Sequence, residues 1–178
     1  MTCCIYGGSD TYTNAALVFR REELIYDIRT IAYTIADVLP ADMQHVRHLV
    51  CDVANEKNLP FAMRVLNLAH RDCVEFLFPL TRGKVPEDVR AGDNRLTEPN
   101  NYIILLHVPS RFSLSSLELM EPAVHDYMVY KVLYEWFVLV YPDKAATMQE
   151  HIDEARDRIK RLLRHRNGRA RLRLDPPW

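Results

Sequence analysis

Apolar and aromatic side chains are most concentrated between Ala123 and Tyr141, in the sequence AVHDYMVYKVLYEWFVLVY. The last fifteen of these residues include only two charged ones, Lys131 and Glu135, which lie four positions apart and would form one narrow polar stripe on a helix. Such a helix must be surrounded by neighbouring elements, because apolar side chains cover almost every other direction. A membrane span would need about 20 apolar residues, which this stretch does not supply. The pattern therefore predicts a buried helix over about residues 115–141, at the centre of a soluble protein.

Helical spacing also occurs in three stretches before this central helix. In residues 21–40 the apolar positions repeat every three or four residues, which predicts an amphipathic helix. A shorter helix is predicted over residues 41–53. Another long helix starts at Asn58 or Leu59, and Pro79 closes it. The apolar positions of the first helix are Leu24, Ile28, Ile31, Ile35 and Val38.

Candidate strands are few and short. Ala15–Phe19 is one, and Tyr102–Val108, a continuous apolar run bounded by Asn and Pro, is predicted to be a buried strand. Residues 1–14 are mostly small and polar, and they are predicted to form an arm. Residues 79–100 have no sustained period, and a loop of this length is predicted to reach out of the compact body. The sheet is therefore small, and the arm, the loop or another subunit completes it. Loop residues predicted to contact other subunits are Arg82, Lys84, Arg90 and Arg95.

The boundaries of the last two helices follow from capping residues and prolines. Ser115 and Glu118 match a capping box that would open the central helix. Pro122 then either kinks this helix or forms its first turn. Pro142 ends it, and Asp143 is predicted to cap a final helix, whose apolar seam has heptad spacing while its other faces are charged. The seam residues are Ala145, Met148, Ile152, Ala155, Ile159 and Leu162.

These elements predict a mainly α fold, a helical bundle around the central helix with a minor β element at about residues 102–108. Residues 1–165 are predicted to form a single domain, and residues 166–178 an extended basic tail. The predicted core residues are Leu24, Ile28, Ile31, Leu66, Ala69, Tyr127, Leu133, Trp136, Phe137, Ile152 and Ile159.

Composition adds an asymmetry of charge to this picture. Hydrophobic residues make up 48% of the 178 residues and charged residues 26%, values that exclude wholesale disorder. The net charge is only −1. From Arg156 to Trp178, however, nine Lys or Arg residues stand against Asp157 and Asp175, a net charge of +7, which leaves −8 for residues 1–155. The four cysteines form neither a CxxC pair nor a disulfide framework, which indicates a reducing compartment.

The strongest candidates for a metal site are His45, His48 and Asp52, because spacings of three and four place them on one helical face. His70 and Glu75 could supply further ligands. Surface or capping histidines are the simpler interpretation, since seven histidines are scattered along the chain. We therefore predict no metal site.

No catalytic or cofactor motif is recognisable. The chain has no GxSxG elbow, no phosphate-binding glycine loop and no dinucleotide fingerprint. Cys73 lies on the apolar face of its helix and is interpreted as a core residue. The sequence predicts neither an enzyme nor a bound cofactor.

The arginines at the carboxyl end are harder to explain as solvated helix charges, because they continue beyond the predicted helix end at Asn167-Gly168. Binding to a nucleic-acid backbone is one use of such a run. Docking onto an acidic surface of a neighbouring subunit is another, and the body of this protein is acidic. The residues predicted to contact a partner or DNA are Arg161, Arg164, Arg166, Arg169, Arg171, Arg173 and Trp178.

Two long runs carry a resemblance to a known class of proteins. FSLSSLELMEPAVHDYMVYKVLYEWFVLVYPDKA, followed by a charged helix ending in RIKRLLRHRNGRARLRLDPPW, resembles the carboxyl half of tailed-phage head-to-tail connector or neck proteins. The resemblance is closest to those encoded in phages and prophages of Bacteroides-type bacteria. LVFRREELIYDI, HVRHLVCDV and FAMRVLNLAHRDCVEFLFPLTRG are similar to the first half of the same proteins.

The resemblance implies a small, mainly helical virion subunit, assembled in the bacterial cytoplasm, that forms a ring, usually twelvefold, beneath the portal. Such a ring joins the DNA-filled capsid to the tail, so the implied partners are other copies of the chain, portal and tail proteins, and the packaged DNA. A tail-completion protein would show the same packing pattern. The competing classes are a nucleic-acid-binding regulator that uses the basic tail and a metal-dependent helical-bundle enzyme that uses His45, His48 and Asp52.

Overall fold

The computed structural model describes residues 4–6, 12–78, 80–81, 99–110 and 112–164. The elements in chain order are β1 (Cys4–Tyr6), β2 (Tyr12–Arg20), α1 (Arg21–Val38), α2 (Gln44–Cys51), α3 (Leu59–Phe76), β3 (Asn101–Pro109), α4 (Leu114–Val140) and α5 (Pro142–Arg164). Short 3-10 helices, Ala41–Met43 and Asp52–Ala54, flank α2. The predicted mainly helical fold with a minor β element is confirmed. None of the described helices is long and apolar enough to cross a membrane.

Helix α4 is the centre of the bundle, as predicted, and packs against α1, α2, α3 and α5. Its aromatic side chains carry polar atoms that reach these neighbours. The indole Nε1 of Trp136 donates a hydrogen bond to the carbonyl of Leu49 at 3.0 Å, and its ring lies 5.6 Å from that of Phe61. The hydroxyl of Tyr127 donates to a carboxylate oxygen of Asp72 at 3.1 Å. Burying these side chains is therefore compatible with their polar atoms.

The start of α4 differs from the predicted capping box of Ser115 and Glu118. Ser113 is the N-cap, and its hydroxyl accepts a hydrogen bond from the amide of Ser116 at 3.4 Å. The helix thus begins one residue before the predicted cap. Pro122 lies inside α4 rather than in its first turn. It cannot donate the hydrogen bond of a helix interior, yet the helix continues to Val140 because its apolar sides are packed on several neighbours.

The sheet has three antiparallel strands in the order β1, β2, β3. Strand β1, which was not predicted, comes from the segment that was interpreted as an arm. The prediction of a buried strand at residues 102–108 needs correction, because burial alternates along β3 and only one face is covered. A continuous apolar run hides such an alternation. The buried residues of β3 are Tyr102, Ile104, Leu106 and Val108.

The seam of α5 is confirmed, since all six predicted residues are buried. Pro142 is the first residue of α5, and Asp143 lies in its first turn rather than at the cap. In α1 the buried face differs from the prediction: Ile31 and Ile35 are only partly buried, and Val38 is 82% exposed. The residues of α1 that are fully buried are Leu24, Ile28, Ala32 and Ala36. All other predicted core residues are buried.

Candidate interaction surface

The arginines at the end of α5 are exposed where the structure describes them. Arg161 and Arg164 lie in the last turn of α5, with their side chains in solvent. Cations at this position are stabilised by the helix dipole, which favours them whether or not a partner binds. The remaining predicted contact residues lie outside the described part of the chain. They are Arg82, Lys84, Arg90 and Arg95 of the loop, and Arg166, Arg169, Arg171, Arg173 and Trp178 of the tail.

The candidate metal ligands do not converge. His45 and His48 are exposed on α2, and the Asp52 carboxylate accepts a hydrogen bond from the side-chain amide of Asn55. The ring Nε2 of His70 lies 3.2 Å from the carbonyl of Ile103, and burial lowers the pKa of this histidine. Within the described residues, no group of three His, Cys, Asp or Glu side chains could hold a metal ion.

The interpretation of Cys73 as a core residue is confirmed. Its side chain is completely buried on α3. Burial in apolar surroundings raises the pKa of the thiol, with a further contribution from the nearby Asp72 charge. A thiol that stays protonated is a poor nucleophile, so Cys73 acts as a small apolar side chain.

Polar groups that the sequence interpretation did not single out meet where α1 and α4 pack together. Glu121 and His125 lie four residues apart on α4, and both are more than nine-tenths buried. The Nε2 atom of His125 is 3.4 Å from a carboxylate oxygen of Asp27 on α1. The ring of Phe19, at the end of β2, lies 6.5 Å from the His125 ring. A polar pair at i and i+4 within an apolar helix was the signal that could have identified this contact.

Glu121 is the least satisfied member of this group. One of its carboxylate oxygens, Oε1, has no hydrogen-bond partner among the described residues. Burial raises the pKa of Glu121, and the Glu23 charge acts in the same direction while His125 opposes it. The distance between His125 and Asp27 is long for a hydrogen bond, so this pair is an electrostatic contact rather than a well-formed bond.

An acidic cleft opens on the outer side of the same region. It has a volume of about 430 Å³, and the described residues that line it are Glu22, Glu23, Tyr26 and Asp27 of α1. The side chain of Tyr26 is 69% exposed. Glu23 has a weak partner in Arg20, at 3.8 Å. Carboxylates beside an exposed aromatic ring can bind a guanidinium group, which forms paired hydrogen bonds with the acid and stacks on the ring.

A second cleft, of about 570 Å³, lies beside the middle of α1 and has mixed charge. Its lining includes Arg29, Tyr33, Glu56 and Lys57. The Arg29 guanidinium already donates hydrogen bonds to the carbonyl of Ala54, so it belongs to the internal packing of α1. This cleft has no net preference for a cation. The acidic cleft is therefore the better candidate for an interaction site.

Substituting Glu121 by glutamine is expected to stabilise the protein at pH 7 and to have little effect at about pH 4. The pKa of Glu121 is raised in the folded state, so the folded protein keeps a proton that the unfolded chain releases. Stability that is present at low pH is therefore lost as the pH rises from the ordinary carboxyl pKa to the raised one. The expected gain at pH 7 is about 1–3 kcal/mol, because glutamine cannot ionise and so avoids the cost of burying a carboxylate charge.

The measurement is urea denaturation of both proteins across this pH range. Glu118→Gln is the matched control, because Glu118 is exposed on the same helix. An E121Q protein that follows the wild-type pH profile would show that Glu121 is satisfied in solution.

Comparisons of this chain with protein-family models, with curated proteins and with solved structures found no match.

Proposed function

We propose that this protein is a structural virion subunit, a protomer of the ring-shaped head-tail connector that joins portal to tail in a bacteriophage. In this role it catalyses no reaction, and it assembles in the bacterial cytoplasm before it becomes part of the virion. The proposal starts from the resemblance of both halves of the chain to such neck proteins. A compact helical body with chain segments beyond its core is the kind of subunit that the resemblance implies.

The observation that supports the proposal most is the separation of charge on one subunit. The start of α1 presents Glu22, Glu23 and Asp27, whereas the exposed end of α5 presents Arg161 and Arg164. Two unlike surfaces that complement each other favour a head-to-tail contact between copies. A head-to-tail contact is heterologous. It produces a closed ring when the rotation that relates one subunit to the next is a whole-number fraction of 360°.

The second candidate is a nucleic-acid-binding regulator, and the exposed arginines at the end of α5 favour it. A run of basic residues that neutralises phosphates releases counterions, so its affinity for DNA falls steeply as salt increases. The acidic surface of α1 would repel the same ligand. This combination suits a DNA-binding regulator less well than a subunit that contacts another copy of itself.

The proposal is tested by the mass of the full-length protein in solution, measured by light scattering over a range of concentrations, with negative-stain images of the same fractions. We expect a closed oligomer, either of the protein alone or after addition of purified portal rings. A protein that stays monomeric at high concentration and binds neither portal nor tail proteins would contradict the proposal. In that case, salt-dependent binding to duplex DNA would favour the regulator.

A further inference from the structure

We propose that His125, Glu121 and Asp27 form a proton-dependent switch at the contact between the start of α1 and helix α4. In the closed state a protonated His125 offsets the carboxylates of Asp27 and Glu121. When the imidazole loses its proton, the first turns of α1 separate from α4 more often. The inference describes a conformational device within one subunit, so it stands apart from the proposed connector role.

The two residues of the switch on α4 are buried together without well-formed hydrogen bonds. Glu121 and His125 are both more than nine-tenths buried and lie four residues apart, so their side chains project from the same side of the helix. Within the described part of the chain, neither Oε1 of Glu121 nor Nε2 of His125 has a hydrogen-bond partner. Nearly all buried polar groups in folded proteins have one, because an unpaired group is costly. A charge on the imidazole is the simplest way to offset a carboxylate that is held here.

Asp27 approaches this pair from α1. One of its carboxylate oxygens lies 3.4 Å from Nε2 of His125. At that distance a protonated imidazole forms an ion pair, whereas a neutral one forms at best a long and weak hydrogen bond. The ring of Phe19, 6.5 Å from the imidazole ring, supplies no polar atom. The strength of the contact between α1 and α4 therefore depends on the proton of His125.

Charges on three elements act on the switch. Burial raises the pKa of Glu121; the amino terminus of the chain and His125 oppose this, and Glu23 of α1 adds to it. Burial also raises the pKa of Asp126, which follows His125 on α4, whereas His125 and Arg158 of α5 lower it. His125 thus opposes the effect of burial on both acids, as a cation beside two carboxylates does. The remaining charges that act on Asp126 are those of Asp27 and Glu154.

The direction of the pH dependence follows from Glu121. Because its pKa is raised in the folded protein, the folded state keeps a proton that the unfolded chain releases. This contribution to stability is present below the ordinary carboxyl pKa and is lost as the pH rises through the raised value. Histidines generally lose their charge between about pH 5 and 8, and loss of the imidazole proton removes a cation from the same group. Both steps weaken the contact as the pH rises, so the switch is closed in mildly acidic solution.

The switch controls local opening rather than the whole fold. Leu24 and Ile28 on the inner face of α1 are completely buried, and their packing does not depend on protons. Segments of a folded protein open locally with free energies below that of global unfolding, and hydrogen exchange reports these openings. Loss of the proton is therefore expected to raise the frequency of opening at the start of α1 while the rest of the bundle stays folded.

The test is hydrogen exchange of the full-length protein between pH 5 and pH 8, followed by mass spectrometry. Each rate is divided by the exchange rate of the unfolded chain at the same pH, so that only structural protection is compared. We expect the protection of residues 21–28 to fall by at least about tenfold over this range. Residues 62–73 of α3 serve as the internal reference, and their protection should stay constant.

Two variants remove the titrating groups on α4 and keep side chains that form hydrogen bonds. His125→Gln and Glu121→Gln are each expected to reduce the fall in protection, and the double variant is expected to abolish it. His151→Gln is the matched control, since the His151 ring stacks on that of Tyr130 at 4.6 Å, at the contact between α4 and α5. This variant should keep the wild-type pH dependence. Circular dichroism verifies that each protein is folded, and if His125→Gln does not fold, Glu121→Gln tests the switch alone.

Protection at the start of α1 that does not change with pH would overturn the inference. A double variant that keeps the wild-type pH dependence would also overturn it, because the proton would then belong to other groups. Equal loss of protection in α1 and α3 would show a global loss of stability, which contradicts a local switch. Portal binding and oligomer mass are not readouts of this experiment, so the switch and the connector role can fail independently.

Discussion

Substituting Phe137 by alanine is expected to lower the free energy of unfolding by about 3–5 kcal/mol. Phe137 is completely buried on α4, the helix against which four other helices pack. Removing its ring deletes apolar surface and leaves a cavity that surrounding elements can fill only in part. The loss is a large part of the stability of a typical domain, which is about 5–15 kcal/mol in total. Urea denaturation followed by circular dichroism measures the change.

The next residue provides the control. Val138 is 44% exposed, so Val138→Ala on the same helix is expected to change stability by no more than about 0.5 kcal/mol. A Phe137→Leu protein, which keeps most of the apolar volume, should lie between the two and remain folded if the alanine variant does not. Equal effects of Phe137→Ala and Val138→Ala would mean that α4 is not the centre of the core.

The seam of α5 was predictable from the sequence because its apolar residues repeat with a regular helical period. Ala145 to Leu162 repeat at three and four residues, and the faces between them are charged. Only one side of such a helix can be buried, so the pattern identifies the buried residues without knowledge of the partner. α4 was predictable for the opposite reason. Its lack of a polar face requires burial on every side, although it does not reveal which helices cover it.

The buried face of α1 was only partly predictable. The pattern pointed to Ile31, Ile35 and Val38, whereas the structure buries Ala32 and Ala36. Alanine is a weak hydrophobic signal in a sequence, but its small side chain allows a neighbouring helix to approach closely. The tertiary contact therefore selects a face that follows every fourth residue. Residue hydrophobicity alone cannot anticipate this rotation, because it depends on the shape of the neighbouring element.

Local details failed where two neighbouring choices were chemically similar. Ser113 and Ser115 can both cap a helix, and Glu118 favoured the second. The structure uses Ser113, which adds Leu114 and Ser115 to the start of α4. Strand β3 shows the same limitation. All of its central residues but one are apolar, so the sequence does not indicate that the side chains on one face are partly exposed to solvent.

The acidic cleft was beyond what the sequence could predict. Glu22 and Glu23 are acidic residues in the first turn of α1, where the helix dipole alone accounts for them. Asp27 and His125 are almost one hundred residues apart in the chain, and only the packing of α1 on α4 brings them together. The charge asymmetry did indicate that the body of the protein has an acidic surface. Its position depends on the fold.

Substituting Ile159 by aspartate is expected to destabilise the protein by at least about 3–5 kcal/mol, because it places an unpaired charge in a buried seam. Ile159 is completely buried, and α5 packs mainly against α4. Two measurements are needed: urea denaturation for stability, and hydrogen exchange to locate the loss of protection, which should be greatest in α5.

Lys160→Asp is the control for this substitution, because it introduces the same residue one position further, on the exposed side. It replaces the surface contact of Lys160 with Asp157 at 3.1 Å by a pair of like charges, a change worth about 0–1 kcal/mol at an exposed position. We expect near-wild-type stability for this variant. In the proposed connector role, Ile159→Asp should also abolish ring assembly, because the end of α5 would no longer lie at a fixed place on the bundle. If assembly survived the release of α5, the position of the end of α5 could not be part of the interface.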